Sequence, residues 1–333
     1  MKIFVCEFVT GGGMTGGPLP TSLTREADLI LRTLLTELSA VPGVELLTSR
    51  DPRLPPVPGI EALVPRTGES LLSLYHRGLD LVDAAWPTAP ESGGALLQLA
   101  GATTERGRLL LGSRPEAVAL TTSKRATVDH LERVGIPAVP TASTVAEIAE
   151  RPGCWVIKPD DGAGCEETIV RESWQAARVS LATMPADRFI AQPWIDGDSL
   201  SLSLLCRGGT ARLLSVNRQR MERDGGRLRL AGLEVNALPD QDGQFQSLAH
   251  RIAWAVPSLW GYVGVDLIST SAGPVVLEIN PRLTTSYCGL GQALGINVAQ
   301  QVLALLDPSW PTEPAFAPCG APVTLQLEVV GDG

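Results

Sequence analysis

Between Gly261 and Arg282, two apolar strand-like runs, Tyr262 to Ile268 and Pro274 to Asn280, stand on either side of Ser271-Ala272-Gly273. Runs of this length around a short glycine-containing break predict a β-hairpin. With the turn centred on Ala272, Asp266 and Glu278 face each other, and Asn280 shares the face of Glu278 because residues i and i+2 of a strand point the same way. A solvent-facing hairpin whose acids merely keep it soluble is the plainer alternative. Its flanks, Val263 to Leu267 and Val275-Val276-Leu277, are too apolar for an exposed edge, so the carboxylates are expected to be partly buried and to need a partner. Two carboxylates so placed repel unless a cation or proton sits between them. Asp266, Glu278 and Asn280 are therefore candidate ligands for a hard cation, magnesium or else manganese, which takes oxygens at roughly 2.1 Å and leaves room for substrate phosphates. Arg282, two residues on, suits a phosphoryl oxygen and is a candidate catalytic cation.

A second segment, Trp155 to Gly164, reads as a strand ending in Lys158 and followed by a loop containing Gly162 and Gly164. Lysine brings a charge to a phosphate, and the glycines let backbone N–H groups approach it closely. Alone, a lysine followed by glycines is as readily a turn with a solvated side chain. Its company is Lys124, at the start of a helix that Thr122-Ser123 suit as an N-cap and that stops at Gly135-Ile136-Pro137.

Composition narrows the partners. The 333 residues are 44% hydrophobic and 19% charged, enough for a sizeable core and two or three domain-sized units. A net charge of −9 is the wrong sign for holding a polyanion over a broad surface, which argues against nucleic acid. No apolar run approaches the ~20 residues of a membrane-spanning helix, and the start, Met1-Lys2-Ile3-Phe4-Val5, reads as a strand and not a leader, so a cytoplasmic location is expected. Cys6, Cys154, Cys165, Cys206, Cys288 and Cys319 form no C-x-x-C pair and read as reduced thiols, while His76, His130 and His250 are scattered and read as structural or surface residues.

Along the chain, strands at 3–9, 44–48 and 80–85, the last ending at a Trp86-Pro87 turn, alternate with a helix at 24–40, predicting an α/β parallel-sheet unit over 1–114. Two α+β units follow, 115–191 with the two lysines and the glycine loop, and 192–333 with the hairpin. In the latter, Ser199 to Leu204 alternates with period two, as a half-buried antiparallel strand does. Of the tryptophans Trp155, Trp174, Trp194, Trp254 and Trp260, all but Trp194 are expected in packing.

Taken in order, these segments resemble the ATP-grasp superfamily over about residues 115 to 300. The resemblance implies an ATP-grasp fold behind an N-terminal pre-ATP-grasp domain. It implies that Lys124 and Lys158 hold ATP phosphates under the loop of Gly162 and Gly164, and that adenine lies against Gln192, Pro193, Trp194 and Ile195. It gives magnesium to Asp266, Glu278 and Asn280. Where relatives place a Glu for the ribose hydroxyls this chain has Asp198 and Ser199, and where others place an Arg before the metal Asp it has Gly264, leaving Arg282 and Arg218 to neutralise the transferred phosphoryl. The runs Glu278 to Tyr287, Ser215 to Gln219 and Ala89-Pro90-Glu91 are similar to tyramine:glutamate ligases of methanofuran (methylofuran) biosynthesis. That similarity implies phosphorylation of the γ-carboxylate of glutamate and attack on the acyl phosphate by an amine such as tyramine or tyrosine. The partners are then a small-molecule carboxylate and amine, with Glu7, Glu91, Arg218 and Tyr287 as candidate contacts. No nucleophile is required, and no residue is singled out as general base.

Two other functions compete. Gly11-Gly12-Gly13-Met14-Thr15-Gly16 matches G-x-G-x-x-G after a first strand, the mark of an NAD(P)-dependent oxidoreductase, but Gly17-Pro18 and Pro20 intervene before any helix. The loop suits a cover for a substrate pocket as well as a plain surface turn. A non-catalytic nucleotide-binding protein would tolerate loss of ligands, whereas this chain has both lysines, the metal trio and Arg282. Enzymes of this size are often two-fold dimers, and a homodimer is the assembly to test.

Overall fold

The computed structural model describes residues 1–162, 164–185, 187–310 and 320–326; Cys319 lies outside the described residues. The chain opens with β1 (Lys2–Glu7), α1 (Thr21–Ser39), β2 (Glu45–Ser49), β3 (Glu61–Leu63), α2 (Leu71–Leu79), β4 (Ala84–Thr88), α3 (Ala95–Glu105) and β5 (Leu109–Leu110). These strands form one parallel sheet in the order β3-β2-β1-β4-β5. The two faces of β1 divide its core: Ile3 and Val5 pack with Leu31, Leu34 and Leu38 of α1, and Phe4 and Cys6 pack with Leu74 and Leu79 of α2.

The strand expected at 80–85 begins instead at Ala84, and Trp86-Pro87 lies inside it. Proline fits because Ala85 accepts from Leu111 N–H on the β5 side, and by alternation Pro87 turns its missing donor to that side after the ladder has ended. The first helix and strands otherwise fall within a few residues of expectation.

Two helices join this unit to the next, α4 (Pro115–Thr122) and α5 (Lys124–Arg133). Ser123 separates them with extended backbone and caps α5 by accepting from Ala126 N–H at 3.0 Å. Gly135, at φ 75°, ends α5 with paired bonds from Gly135 N–H to Glu132 O and from Ile136 N–H to Leu131 O.

The remainder comprises β6 (Trp155–Pro159), β7 (Ile169–Arg171), α6 (Trp174–Thr183), β8 (Phe189–Pro193), β9 (Asp198–Arg207), β10 (Thr210–Asp224), β11 (Arg227–Leu238), α7 (Gln244–Ala255), β12 (Gly261–Thr270), β13 (Gly273–Asn280), α8 (Tyr287–Leu294), α9 (Val298–Ala304) and β14 (Val323–Gln326). Its strands form an antiparallel sheet ordered β13-β12-β9-β10-β11-β7-β6-β8, with β14 beside β11. Among the described residues no helix is long and apolar enough to cross a membrane.

Two expectations are corrected here. The serine-bearing face of β9 is buried and not solvated at Ser201 and Ser203, where β9 runs centrally between β10 and β12. Ser201 and Ser203 face Asn217, whose Nδ2 donates to them at 3.3 and 3.1 Å, and Ser203 meets the Tyr262 hydroxyl at 3.0 Å. Buried polar groups are tolerated when paired in this way. Trp254, expected in packing, is 69% exposed on α7, while Trp155 and Trp260 are buried.

Candidate functional site

The hairpin of β12 and β13 brings Asp266 opposite Glu278. Its turn is tighter than expected, with Thr270 paired to Gly273, and a bulge at Leu277 restores the Asp266–Glu278 register. Asn280 lies on the same face, and its Nδ2 donates to Asp266 Oδ2 at 3.1 Å. Gln219 on β10 donates to the other oxygen, Oδ1, at 2.9 Å. Burial and the neighbouring Glu278 charge push the Asp266 carboxyl up. Partial burial alone would raise the Glu278 carboxyl too, but the charges of Lys124 and Lys158 outweigh this and hold it well below the usual carboxylate range.

Those lysines arrive from different elements. Lys124, the first residue of α5, places Nζ 3.3 Å from Glu278 Oε2 and donates to Gly162 O at 2.6 Å. Lys158, on β6, stands 3.9 Å from the same oxygen, and its burial lowers the ammonium, against the opposing pull of Glu278. The start of the glycine loop is pinned to the same helix: Asp160 O accepts from Lys124 N–H, and Asp160 Oδ1 accepts from Arg125 N–H at 2.9 Å, a carboxylate on a helix N-terminus.

Above this cluster opens a cleft of about 420 Å³, within the range of small-ligand sites. The residues put forward for nucleotide binding, Lys124, Lys158, Gly162, Gly164, Gln192, Pro193, Trp194, Ile195 and Asp198, all line it, as do Asp266, Glu278 and Arg218. Its apolar wall is Val156, Met221, Leu230, Ile268 and Leu277. Gln192 itself is buried, with Nε2 donating to Thr141 at 2.9 Å. Sequence reading missed Gln219, Met221 and Leu230. The only signal was their alternation on β10 and β11, and alternation alone does not say which face meets a cleft.

The remaining candidates lie elsewhere. Arg282 is partly buried and ion-paired with the buried Glu91, Nη2 to Oε2 at 2.8 Å, and neither lines the large cleft. Glu7 is buried and accepts from the backbone N–H groups of Val9 and Thr10 and from the Thr10 hydroxyl, with burial pushing its carboxyl up. Tyr287 is fully buried, its hydroxyl donating to Glu37 and pushed well above its usual range by burial and that charge. Arg218, by contrast, stands at the cleft, half exposed and paired with Glu234 at 3.5 Å.

The donor set fits a hard divalent cation. Asp266 and Glu278 supply facing carboxylates whose repulsion a cation would relieve, and Asn280, with its amide N–H turned to Asp266, keeps its own oxygen for ligation. Among the described residues there is no cluster of three or more His, Cys, Asp and Glu that could hold a metal, so a cation here would complete its shell with the Asn280 amide oxygen, water or phosphate oxygens.

The oxidoreductase alternative fails on packing. A Cβ on Gly11 would lie 2.3 Å from Ser49 Oγ, one on Gly12 (φ 110°) 2.5 Å from Pro65 Cγ, and one on Gly13 2.7 Å from Phe8 O. These glycines admit the chain's own neighbours, not a pyrophosphate, and α1 starts only at Thr21. Met14 O and Gly17 O accept from Arg53, which fastens the loop to the N-terminal unit.

Residues 121–286 match the ATP-grasp domain family and residues 44–118 the pre ATP-grasp 3 domain. The chain belongs to the ATP-grasp superfamily. Its relatives include the tyramine–L-glutamate ligase of Methanocaldococcus jannaschii, 30% identical over 209 residues, which are 63% of this chain and 58% of that enzyme. That of Methanocaldococcus fervens is 32% identical over 140 residues, 42% of this chain and 41% of the relative. The chain thus spans well under two thirds of either relative. Among solved structures, an ATP-grasp superfamily protein from Archaeoglobus fulgidus superimposes with a TM-score of 0.71 at 26% identity over 91% of this chain and 88% of the other. An L-amino acid ligase from Bacillus licheniformis has a similar fold, with a TM-score of 0.64 at 16% identity over 91% of this chain and 72% of the other.

Proposed function

We propose that this ATP-grasp chain is an ATP-dependent carboxylate–amine ligase, working through an acyl phosphate and joining a carboxylate such as L-glutamate to an amine such as tyramine or tyrosine. The observation that carries the proposal is one carboxylate, Glu278, shared by two lysines from separate elements and set opposite Asp266 at the floor of a nucleotide-sized cleft. The choice of substrates is supported by the tyramine–L-glutamate ligase relatives. The division of labour follows the units put forward above: 1–114 on the substrate side, 115–191 over the phosphates, and 192–333 carrying the metal ligands.

In this scheme Lys124 and Lys158 neutralise ATP phosphates, Gly162 and Gly164 let the loop backbone approach them, and Trp194 with the Val156–Leu277 wall takes the base. Asp198 is placed for the ribose. Magnesium, held by Asp266, Glu278 and Asn280, would supply charge neutralisation for the phosphate oxygens. A carboxylate oxygen of the donor forms a bond to the γ-phosphorus as the bond to the β-phosphate oxygen breaks, releasing ADP. The amine nitrogen then bonds the acyl carbon, phosphate leaves with the C–O electron pair, and the nitrogen gives up its proton. Catalysis of this kind is mostly alignment and charge stabilisation.

The test is an incubation with ATP, Mg²⁺ and L-glutamate, with and without tyramine or tyrosine, reading products by mass. ADP, phosphate and a γ-glutamyl amide are expected, and Glu278→Gln is expected to abolish the metal-dependent turnover while remaining folded. ADP without amide would reject this acceptor; turnover in Glu278→Gln equal to the unaltered chain would reject the metal assignment.

A further inference from the structure

Arg282 and Glu91 are 191 residues apart in sequence, and the buried contact between them joins the N-terminal sheet to the strand that ends at the metal ligands. The guanidinium Nε donates to Glu91 Oε1 and Oε2 at 3.0 and 3.1 Å, Nη2 donates to Oε2 at 2.8 Å, and Nη1 donates to Leu283 O at 3.2 Å. A guanidinium has five N–H donors, so one on each Nη is left for another acceptor. Arg282 follows Asn280 by two residues, just past the end of β13.

Glu91 sits in the short loop between β4 and α3. Two residues on, Gly93 N–H donates to Asp161 Oδ2 at 3.1 Å, at the base of the glycine loop. Gly93 and Gly94 both take left-handed backbone, at φ 63° and 70°, which suits glycine and turns the chain sharply between its two grips. One loop therefore touches both the arginine beside the metal ligands and the loop beside Lys158.

We propose that Glu91 is a positioning residue: it presets the Arg282 guanidinium, which keeps two N–H groups for a further acceptor, for the anionic group that ATP-grasp transfer creates, and its loop links that setting to the glycine loop. The inference rests on the ligase function proposed above and reassigns Glu91 from substrate contact to partner of Arg282. A buried carboxylate engaged through both oxygens by one arginine is a holder of that arginine, and a bidentate pair fixes the plane as well as the place of the guanidinium.

The experiment measures kcat and KM for ATP and for L-glutamate, by ADP release and amide yield, in Glu91→Gln, Glu91→Asp, Arg282→Gln and the double Glu91→Gln/Arg282→Gln. Misplacing a catalytic group by an ångström costs about 100-fold in rate. Glu91→Gln is expected to lower kcat by about that factor with KM for ATP within about twofold. Glu91→Asp, which keeps the charge with one methylene less reach, is expected to recover part of it. In the Arg282→Gln background, Glu91→Gln is expected to cost nothing further, because the group it positions is gone. The double variant removes both charges together, leaving no unpaired charge, and keeps the cycle readable if Glu91→Gln alone folds poorly. A rate equal to the unaltered chain, or an equal further loss in the Arg282→Gln background, overturns the proposal, the second by showing that Glu91 acts on the substrate itself. An unaltered chain that releases no ADP with any carboxylate–amine pair overturns the ligase function, and the positioning role falls with it.

Discussion

Trp194→Ala isolates nucleotide binding from chemistry. Trp194 follows β8, donates its backbone N–H to Cys154 O at 2.8 Å, and lines the cleft with 38% of its surface exposed. A tryptophan buries roughly 150–250 Å² when covered, so the exposed remainder amounts to about 60–95 Å². Covering that area with an aromatic base at ~25 cal/mol per Å² contributes about 1.5–2.4 kcal/mol. At 1.4 kcal/mol per tenfold, ATP should bind roughly 10- to 50-fold more weakly in the variant. Trp194 has no contact with Lys124, Lys158 or Glu278 among the hydrogen bonds and ion pairs of the site. Its loss should therefore weaken ground state and transition state alike, raising KM for ATP and leaving kcat within about twofold. Calorimetric titration of Mg-ATP without the carboxylate gives the affinity, steady-state ADP release gives kcat and KM, and a thermal melt confirms the fold. Unchanged ATP affinity in a folded variant, or a fall in kcat at constant KM, would refute a role for Trp194 in holding the base.

Three further outcomes follow from the packing and charge of the N-terminal unit. Gly12→Ala forces a Cβ to 2.5 Å from Pro65 Cγ at φ 110° and should cost about 2–4 kcal/mol in urea unfolding; an unchanged midpoint would show that the glycine is not required by packing. Thr88→Val removes a buried hydroxyl that has no hydrogen-bond partner among the described residues and should stabilise the chain by about 1 kcal/mol, so a loss of stability would reveal a partner for Thr88. Asp51 is held below the usual carboxylate range by its hydrogen bonds to Arg53. A carboxyl depressed in the folded state contributes stability that is fully present above its unfolded value, about 3.9, and is lost as pH falls through the folded value. Melts from pH 6 to 2 should fall more steeply in the unaltered chain than in Arg53→Gln, and parallel profiles would show that the pair carries no such stability.

Local pattern made much of the site legible. The β12–β13 hairpin follows from two apolar runs around a short turn, and the shared face of Glu278 and Asn280 follows from the strand period of two. Lys124 was legible as the first residue of a helix capped by Ser123, and Lys158 as the end of an apolar strand. The Asp266–Glu278 pairing was reached from a turn centred one half-step differently, and a bulge at Leu277 supplies the offset. A bulge has no composition of its own in an apolar run, so it was not readable. Alternation predicts a wet face for the serines of β9, yet Ser201 and Ser203 are buried, because alternation reports two faces but not what covers each.

The sequence alone determined the types and local spacing of the charged groups, since these depend on helix and strand periodicity over a few residues. Tertiary structure alone decided which of them meet. Gln219 reaches Asp266 because β10 and β12 both flank β9. Tyr287 is withdrawn into the core by Glu37 of α1, and Arg282 is turned to Glu91 by the packing of one sheet's loop against the end of another. Contacts across such separations are set by how whole faces bury against each other, and no local period encodes that.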